Sequence, residues 1–343
     1  MSQTASAHTD GPLLCVRDLE VTYRRRGHGT PALSGVSLEV FAGETVGVVG
    51  ESGSGKTTLG RAILGQVPVG SGAIEFGGRD ITAASVKQRR LLARELQVVF
   101  QDPYSSLNPT RTIGQSVAQP LVARKGLDRA AIREQVGKAL ERVGLPGETA
   151  HRYPAEFSGG QRQRIAIARA IIGSPRLIVC DEPVSALDLS VQAQVLNLLQ
   201  DLQRELRLSL LFIAHDLEVV RHISRRIVVL YRGHIAEEGA AQAVYRHAVH
   251  PYTQALLRAS PIPDARLQRQ RRAERQSEPR RHQGSLPADG CPYAPRCPIA
   301  VPDCTAAMPP LSDVAPDHKA ACIRAGAVPT AGVTRPRMGA TPP

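Results

Sequence analysis

Residues 50–57 read Gly-Glu-Ser-Gly-Ser-Gly-Lys-Thr, a run whose residue types suit one kind of chemistry. Three glycines, Gly50, Gly53 and Gly55, let the backbone curl so that successive N–H groups face one point, and a helix starting at Lys56 adds its positive end there. Polyphosphate is the ligand such a cradle takes. Lys56 supplies charge for the outer phosphates, the Thr57 hydroxyl is a Mg²⁺ ligand, and Ser52, Ser54 and Thr58 complete the contact set.

Residues 177–182, Leu-Ile-Val-Cys-Asp-Glu, form an apolar strand that ends in two acids. Beside a phosphate loop, Asp181 at the strand tip is placed to hold Mg²⁺ through water, and Glu182 to polarise an attacking water as general base. A third feature, Ser158-Gly159-Gly160-Gln161, opens a helix and makes a second anion-binding end. Read without context, Ser158 is an ordinary helix cap. With it, one phosphate loop already serves this chain's own nucleotide, so a second such end calls for a second nucleotide.

These elements must be positioned by alternating strands and helices. Leu13–Tyr23 and Ala32–Val40 carry the alternating and β-branched residues of strands; Thr45–Val49, Leu96–Phe100, Leu177–Cys180, Leu208–Ala214 and Ile227–Leu230 read as further strands. Helical spacing is expected over 112–145, with a charged segment at Asp128–Val143, from Ser158 to about Gly173, and over Ser190–Leu206. The expectation is an α/β fold with an antiparallel strand group at its start.

In this order the motifs resemble the ATP-binding cassette (ABC) ATPases: Gly-Glu-Ser-Gly-Ser-Gly-Lys-Thr, then Ser-Gly-Gly-Gln, then the Asp-Glu strand end. The resemblance implies a P-loop NTPase with an antiparallel β subdomain, a central mostly parallel sheet and a helical subdomain over about 102–172. It also implies roles for further residues. Tyr23 matches the aromatic that stacks on adenine. Gln101 matches the glutamine that touches Mg²⁺ and senses the γ-phosphate, joining Thr57 and Asp181 as the metal set. Ser185–Asp188 matches the loop that crosses the dimer interface, and His215 the histidine on the γ-phosphate. ATP would lie between one subunit's phosphate loop and its partner's Ser158–Gln161 turn. Glu182, His215 and Gln101 are all present, as hydrolysis requires. The one departure is Phe157 where leucine is commoner.

A narrower resemblance, over about 13–325, is to the dipeptide and oligopeptide importer ATPases, and within them to the second of two ATPase subunits. It rests on residues 101–109 (Gln-Asp-Pro-Tyr-Ser-Ser-Leu-Asn-Pro), on Arg152-Tyr153-Pro154, on His250-Pro251-Tyr252-Thr253, and on Val219–Ser224, Tyr245 and residues 261–263 (Pro-Ile-Pro). It implies a heterodimer with a second, homologous ATPase, two membrane permeases and, indirectly, an external solute-binding protein, at the cytoplasmic face of a bacterial inner membrane. Nickel or another small solute is the alternative cargo. A soluble ABC ATPase acting on nucleic acid is disfavoured because there is one cassette and no aromatic basic groove, and an exporter ATPase because the His-Pro-Tyr element and cysteine tail look like importer features.

Composition agrees. The formal net charge is +12, but aromatics are 3% and Trp is absent, which argues against a nucleic-acid stacking surface. The arginine excess suits a solvated surface or a face near anionic lipid. No apolar run is long enough to span a bilayer and residues 1–12 lack a signal-peptide core, so a cytosolic, peripheral protein is expected. The chain divides into a leader (1–12), a nucleotide-binding domain (13–260), an extension (261–325) and an Ala/Pro/Gly-rich tail (326–343). Residues 261–290, with arginines between Arg266 and Arg281, read as a linker. Cys291, Cys297, Cys304 and Cys322 fall within the extension. Four thiols in a Pro-rich stretch with little core suggest a metal staple. The spacing lacks CxxC pairs and favours [4Fe–4S] over Zn²⁺, with free or disulfide-linked thiols as the third reading and His318 as an alternative ligand. Cys15 and Cys180 read as core.

Overall fold

The computed structural model describes residues 11–25, 28–122, 127–259, 287 and 289–327. The described residues fall into two compact units, divided between His234 and Ile235.

The first unit starts with a long antiparallel pair, β1 (Leu14–Arg25) and β2 (His28–Val40). β3 (Thr45–Val49) follows, then α1 (Lys56–Ile63), β4 (Ser71–Phe76), β5 (Arg79–Asp80), α2 (Val86–Leu92) and β6 (Leu96–Val99). A helical segment comes next: α3 (Ile113–Val117), α4 (Gln119–Val122), α5 (Arg129–Arg142) and α6 (Gly159–Ile171). The unit continues with β7 (Leu177–Asp181), α7 (Leu189–Leu206), β8 (Ser209–Ala214), α8 (Leu217–Ile223) and β9 (Arg226–Tyr231).

Two sheets result. β2-β1-β4-β5 is antiparallel. The other runs β9-β3-β8-β7-β6, parallel throughout. Its central strands are apolar because helices cover both faces: every residue of β3 and β8 is buried, as are Leu177–Cys180 of β7. Parallel strands all end on one edge, and the loops leaving that edge form the crevice where open α/β sheets bind ligands. β3, β6, β7 and β8 lead there into residues 50–55, Gln101, Glu182 and His215 respectively. This register, more than any single motif, assembles the site.

The expected strands and helices are present, with ends shifted by a few residues. The sequence pattern did not anticipate β4, β5 and α2. They are short, and α2 buries only Leu92, so its apolar periodicity is faint.

The second unit contains β10 (His234–Ala240), α9 (Ala241–Arg246), α10 (Pro251–Ala259), a short helix over Asp303–Ala306, β11 (Ser312–Ala315) and β12 (His318–Ala320). β12 pairs antiparallel with both β10 and β11. The register Glu237↔Ala320 ties the extension to β10, and the division between the units falls at 234/235, where composition suggested a boundary near 260. The supposed leader, linker and C-terminal tail lie almost wholly outside the described residues. Among the described residues no helix is long and apolar enough to cross a membrane.

Candidate nucleotide site

The phosphate loop is built by exclusion of side chains. An added Cβ at Gly50 would run into the Leu230 carbonyl oxygen, and one at Gly55 into that of Ala32. Gly53 and Gly55 have φ of 78° and 106°, conformations that glycine alone adopts without strain. Gly55 caps α1 without any side-chain bond, leaving the first helical N–H groups facing outward. Ser54 Oγ is buried with no partner among the described residues.

Lys56 curls back over the loop, its Nζ donating to the carbonyls of Gly50 (2.8 Å) and Glu51 (3.0 Å). Burial lowers its pKa, and Glu182 and Asp181 partly oppose that. Thr57 Oγ1 donates to Asp181 Oδ1 at 3.1 Å. Burial raises the Asp181 pKa; the Thr57 bond, Arg61 and Lys56 act against that, while Glu182 adds to it. A half-buried carboxylate with too little positive charge nearby suits a divalent cation, and Thr57, Gln101 and Asp181 share the lining of one cavity of about 590 Å³, with Arg61, Asp102 and Arg169. The oxygen donors present therefore fit Mg²⁺. The open N–H cradle, the buried lysine and the Ser54 hydroxyl fit a nucleoside triphosphate.

Glu182 Oε2 lies 3.3 Å from His215 Nδ1. Its side chain is 17% exposed and that of His215 59%. Glu182 has φ of 48°, uncommon for a residue with a side chain and typical of strained functional positions. Tyr23 is 42% exposed, and its hydroxyl lies 3.4 Å from Thr58 Oγ1.

The second anion-binding end is a complete capping box. Ser158 Oγ accepts from the Gln161 N–H (3.3 Å), and Gln161 Oε1 accepts from the Ser158 N–H (3.0 Å). Gly160 has no room for a Cβ against Val191. Asp188 caps α7, accepting from Val191 N–H at 3.0 Å and Ser190 Oγ at 2.7 Å; the Val191 bond holds its carboxyl below the usual range. Thus Ser158, Gln161 and Asp188 all satisfy local caps.

The sequence reading missed Arg61 and Arg169 in the cavity lining. Arg61 sits one turn beyond Thr57 on α1, a detectable signal. Arg169 reaches back to the Ser106 carbonyl, a long-range bond that local pattern does not reveal.

The cysteine tail gives a mixed result. All six cysteines are free thiols. Cys15 and Cys180 are buried in β1 and β7, and burial pushes the Cys180 thiol to about 12, as expected of a core residue. The four tail cysteines converge: the Cys291 N–H donates to the Cys304 carbonyl at 2.8 Å, Cys322, Cys291 and Cys304 all add to the raised pKa of Cys297, Cys322 and Cys304 to that of Cys291, and Cys304 to that of Cys322. Burial is the largest cause, taking Cys297 to about 11. Yet no group of three or more His, Cys, Asp or Glu among the described residues has metal-holding geometry. Convergence fits a cluster; a shared coordination sphere is absent in this arrangement. His318 is committed elsewhere, its Nε2 2.7 Å from Glu237 Oε1.

Comparison with known proteins agrees with this geometry. Residues 33–185 match the ABC transporter family and residues 236–304 the oligopeptide/dipeptide transporter C-terminal region. The chain is 48% identical over 299 residues to the oligopeptide transport ATP-binding protein OppF of Salmonella typhimurium, covering 85% of this chain and 87% of that one. OppF of Escherichia coli is 47% identical over the same shares. An ATP-binding cassette solved as a dimer in a post-hydrolysis state with ADP and Pi has a TM-score of 0.61 at 28% identity, covering 66% of this chain and 98% of that one. The chain belongs to the ABC transporter ATPases, in the branch that carries the oligopeptide/dipeptide transporter C-terminal region.

Proposed function

We propose that this chain is the ATP-hydrolysing motor of a peptide importer. The observation that carries the reading is the convergence of four strand ends, from β3, β6, β7 and β8, on one edge bearing the phosphate loop, Gln101, Asp181–Glu182 and His215, in a chain nearly half identical to OppF proteins.

Lys56 and the loop N–H groups hold the phosphates. Thr57, Asp181 and Gln101 supply oxygen donors for Mg²⁺, which when bound neutralises the outer phosphate charge. Glu182 takes the proton of the attacking water, and His215, within hydrogen-bond range of Glu182, holds that carboxylate and faces the γ-phosphate side. Tyr23 stacks on the base. The Ser158–Gln161 turn and Asp188 face the nucleotide and phosphate loop of a second, homologous ATPase, so two nucleotides join the heterodimer and hydrolysis releases it. Permeases receive that motion at the cytoplasmic face of the inner membrane, and an external binding protein supplies dipeptides or oligopeptides. Functionally, residues 13–260 form the motor and 261–325 an extension.

We read Cys291, Cys297, Cys304 and Cys322 as holding a [4Fe–4S] cluster, ahead of Zn²⁺, on their convergence; ligation requires the tail loops to close further. Iron, zinc and acid-labile sulfide assays on anaerobically purified protein test this. Absence of all three leaves free thiols.

The functional reading is tested by purifying the chain from its native membranes in mild detergent and identifying what accompanies it. Two permeases and a second ABC ATPase are expected, with peptide-stimulated ATP hydrolysis after reconstitution. Recovery of ribosomes or nucleic acid would overturn the importer reading.

A further inference from the structure

Tyr104 stands three residues after Gln101 and is 59% exposed, yet its ring is not free. Asp102 fixes its backbone, accepting from the Tyr104 N–H at 2.8 Å and the Ser105 N–H at 3.3 Å. The Arg162 guanidinium carbon lies 4.3 Å from its ring centroid. Arg162 also donates from Nε to the Phe157 carbonyl at 3.0 Å, the carbonyl just before Ser158. The Tyr104 hydroxyl is 3.4 Å from where a Cβ on Gly159 would sit. One ring and one guanidinium therefore join the loop that carries Gln101 to the mouth of the Ser158–Gln161 turn.

A second segment touches that turn as well. Leu187 Cδ2 is 3.8 Å from the same Cβ position on Gly159, and Val191 closes against Gly160. Leu187 and Val191 belong to the segment that follows Glu182. The turn thus touches both the chain after Gln101 and the chain after Glu182, two residues of this subunit's own nucleotide site. A second arginine on α6, Arg169, anchors the far end of the Gln101 loop through Ser106.

We propose that Tyr104 is a positioning residue for the Ser158–Gln161 turn: its ring, stacked on Arg162, links the Gln101 loop of one nucleotide site to the turn presented to the other. This rests on the reading above that the turn faces a nucleotide held by the partner ATPase. The stack is an attraction between a cation and a ring face, so it needs the aromatic ring and not the hydroxyl. Without the ring, the turn must be ordered at the moment the partner's nucleotide is clasped. That cost falls on nucleotide binding, while the chemistry at Glu182 is unaffected.

The test is ATP hydrolysis against ATP concentration by the reconstituted transporter carrying Tyr104→Ala, Tyr104→Phe or Ser158→Arg in this chain. Tyr104→Ala should raise the KM for ATP by about fivefold, the size of an exposed cation–π contact, with kcat within twofold. Tyr104→Phe should keep the wild-type KM. A merely structural loss would lower the active fraction, and so kcat, and leave KM unchanged. Wild-type KM in Tyr104→Ala, or a Phe variant as impaired as the Ala variant, overturns the proposal. Ser158→Arg should abolish hydrolysis. Undiminished hydrolysis there would sink the underlying clasp, a failure distinct from that of Tyr104.

Discussion

Asp181 and Glu182 are adjacent acids with opposite demands on their surroundings. Asp181 is half-buried, with its pKa raised mainly by desolvation, so its charge costs the empty protein stability. The folded pKa lies above the unfolded one, so this cost is absent at low pH and grows as pH rises through the interval between them. Asp181→Asn should therefore stabilise the nucleotide-free chain at neutral pH, a rise of a few degrees in melting temperature, and remove the further rise that Mg-ATP gives the wild type. An unchanged melting temperature without nucleotide would show that Asp181 already has a compensating charge. Glu182 plays the other part, at φ of 48° and within 3.3 Å of His215. Glu182→Gln keeps shape and hydrogen bonding but cannot accept the water's proton, so kcat should fall by about 10²–10⁴-fold with ATP binding retained. Single-turnover hydrolysis and equilibrium ATP binding check the two halves.

At the scale of elements, α10 shows what its His-Pro-Tyr sequence is for. His250 Nδ1 accepts from the Tyr252 N–H at 3.0 Å, an N-terminal cap, and Pro251 takes the first helical position, where its missing N–H costs nothing. Tyr252 is fully buried, its ring 5.5 Å from that of Tyr293. Behind the cap stands Glu237 of β10, 0% exposed, accepting from the Val249 N–H (2.9 Å), the His250 N–H (3.0 Å) and His318 (2.7 Å). Glu237→Ala would strand two buried N–H donors and a histidine, destabilising the second unit by roughly 3 kcal/mol. Hydrogen exchange over 235–259 should speed up, with residues 45–63 unchanged. Glu237 also marks the limit of what the sequence carries. The phosphate loop, the Asp181–Glu182 strand end and the Ser158 capping box are local: strand, turn and cap lie within about ten residues, so type and spacing suffice. Glu237 is one acid in a strand whose partners lie 12, 13 and 81 positions away, and nothing local distinguishes it from a solvated glutamate. The four cysteines are visible in sequence, but whether their sulfurs meet depends on loop paths that spacing alone leaves open.

The whole molecule joins two units that answer to different variables. Ligand binding to the native state alone stabilises the first, by about 2.7 kcal/mol at a hundredfold excess over Kd. The second answers to protons through His250. Burial pushes the His250 pKa down to about 4, and the nearby Glu237 charge only partly offsets this. The ordinary value is 6.5, so an unfolded chain takes up a proton between pH 6.5 and 4 that the folded unit refuses. The folded pKa is the depressed one, so this stability is fully present above about pH 6.5 and is lost as pH falls toward 4, by at most roughly 1.4 kcal/mol per pH unit. Hydrogen exchange, normalised to intrinsic rates, should show protection of 235–259 falling from pH 7 to 5. Mg-ATP added to the Glu182→Gln chain should raise protection over 45–63 at each pH. His250→Gln removes the titrating group at some cost in cap strength, and should flatten the pH response of 235–259 while lowering its protection at pH 7. A pH response that survives this substitution would overturn the assignment to His250.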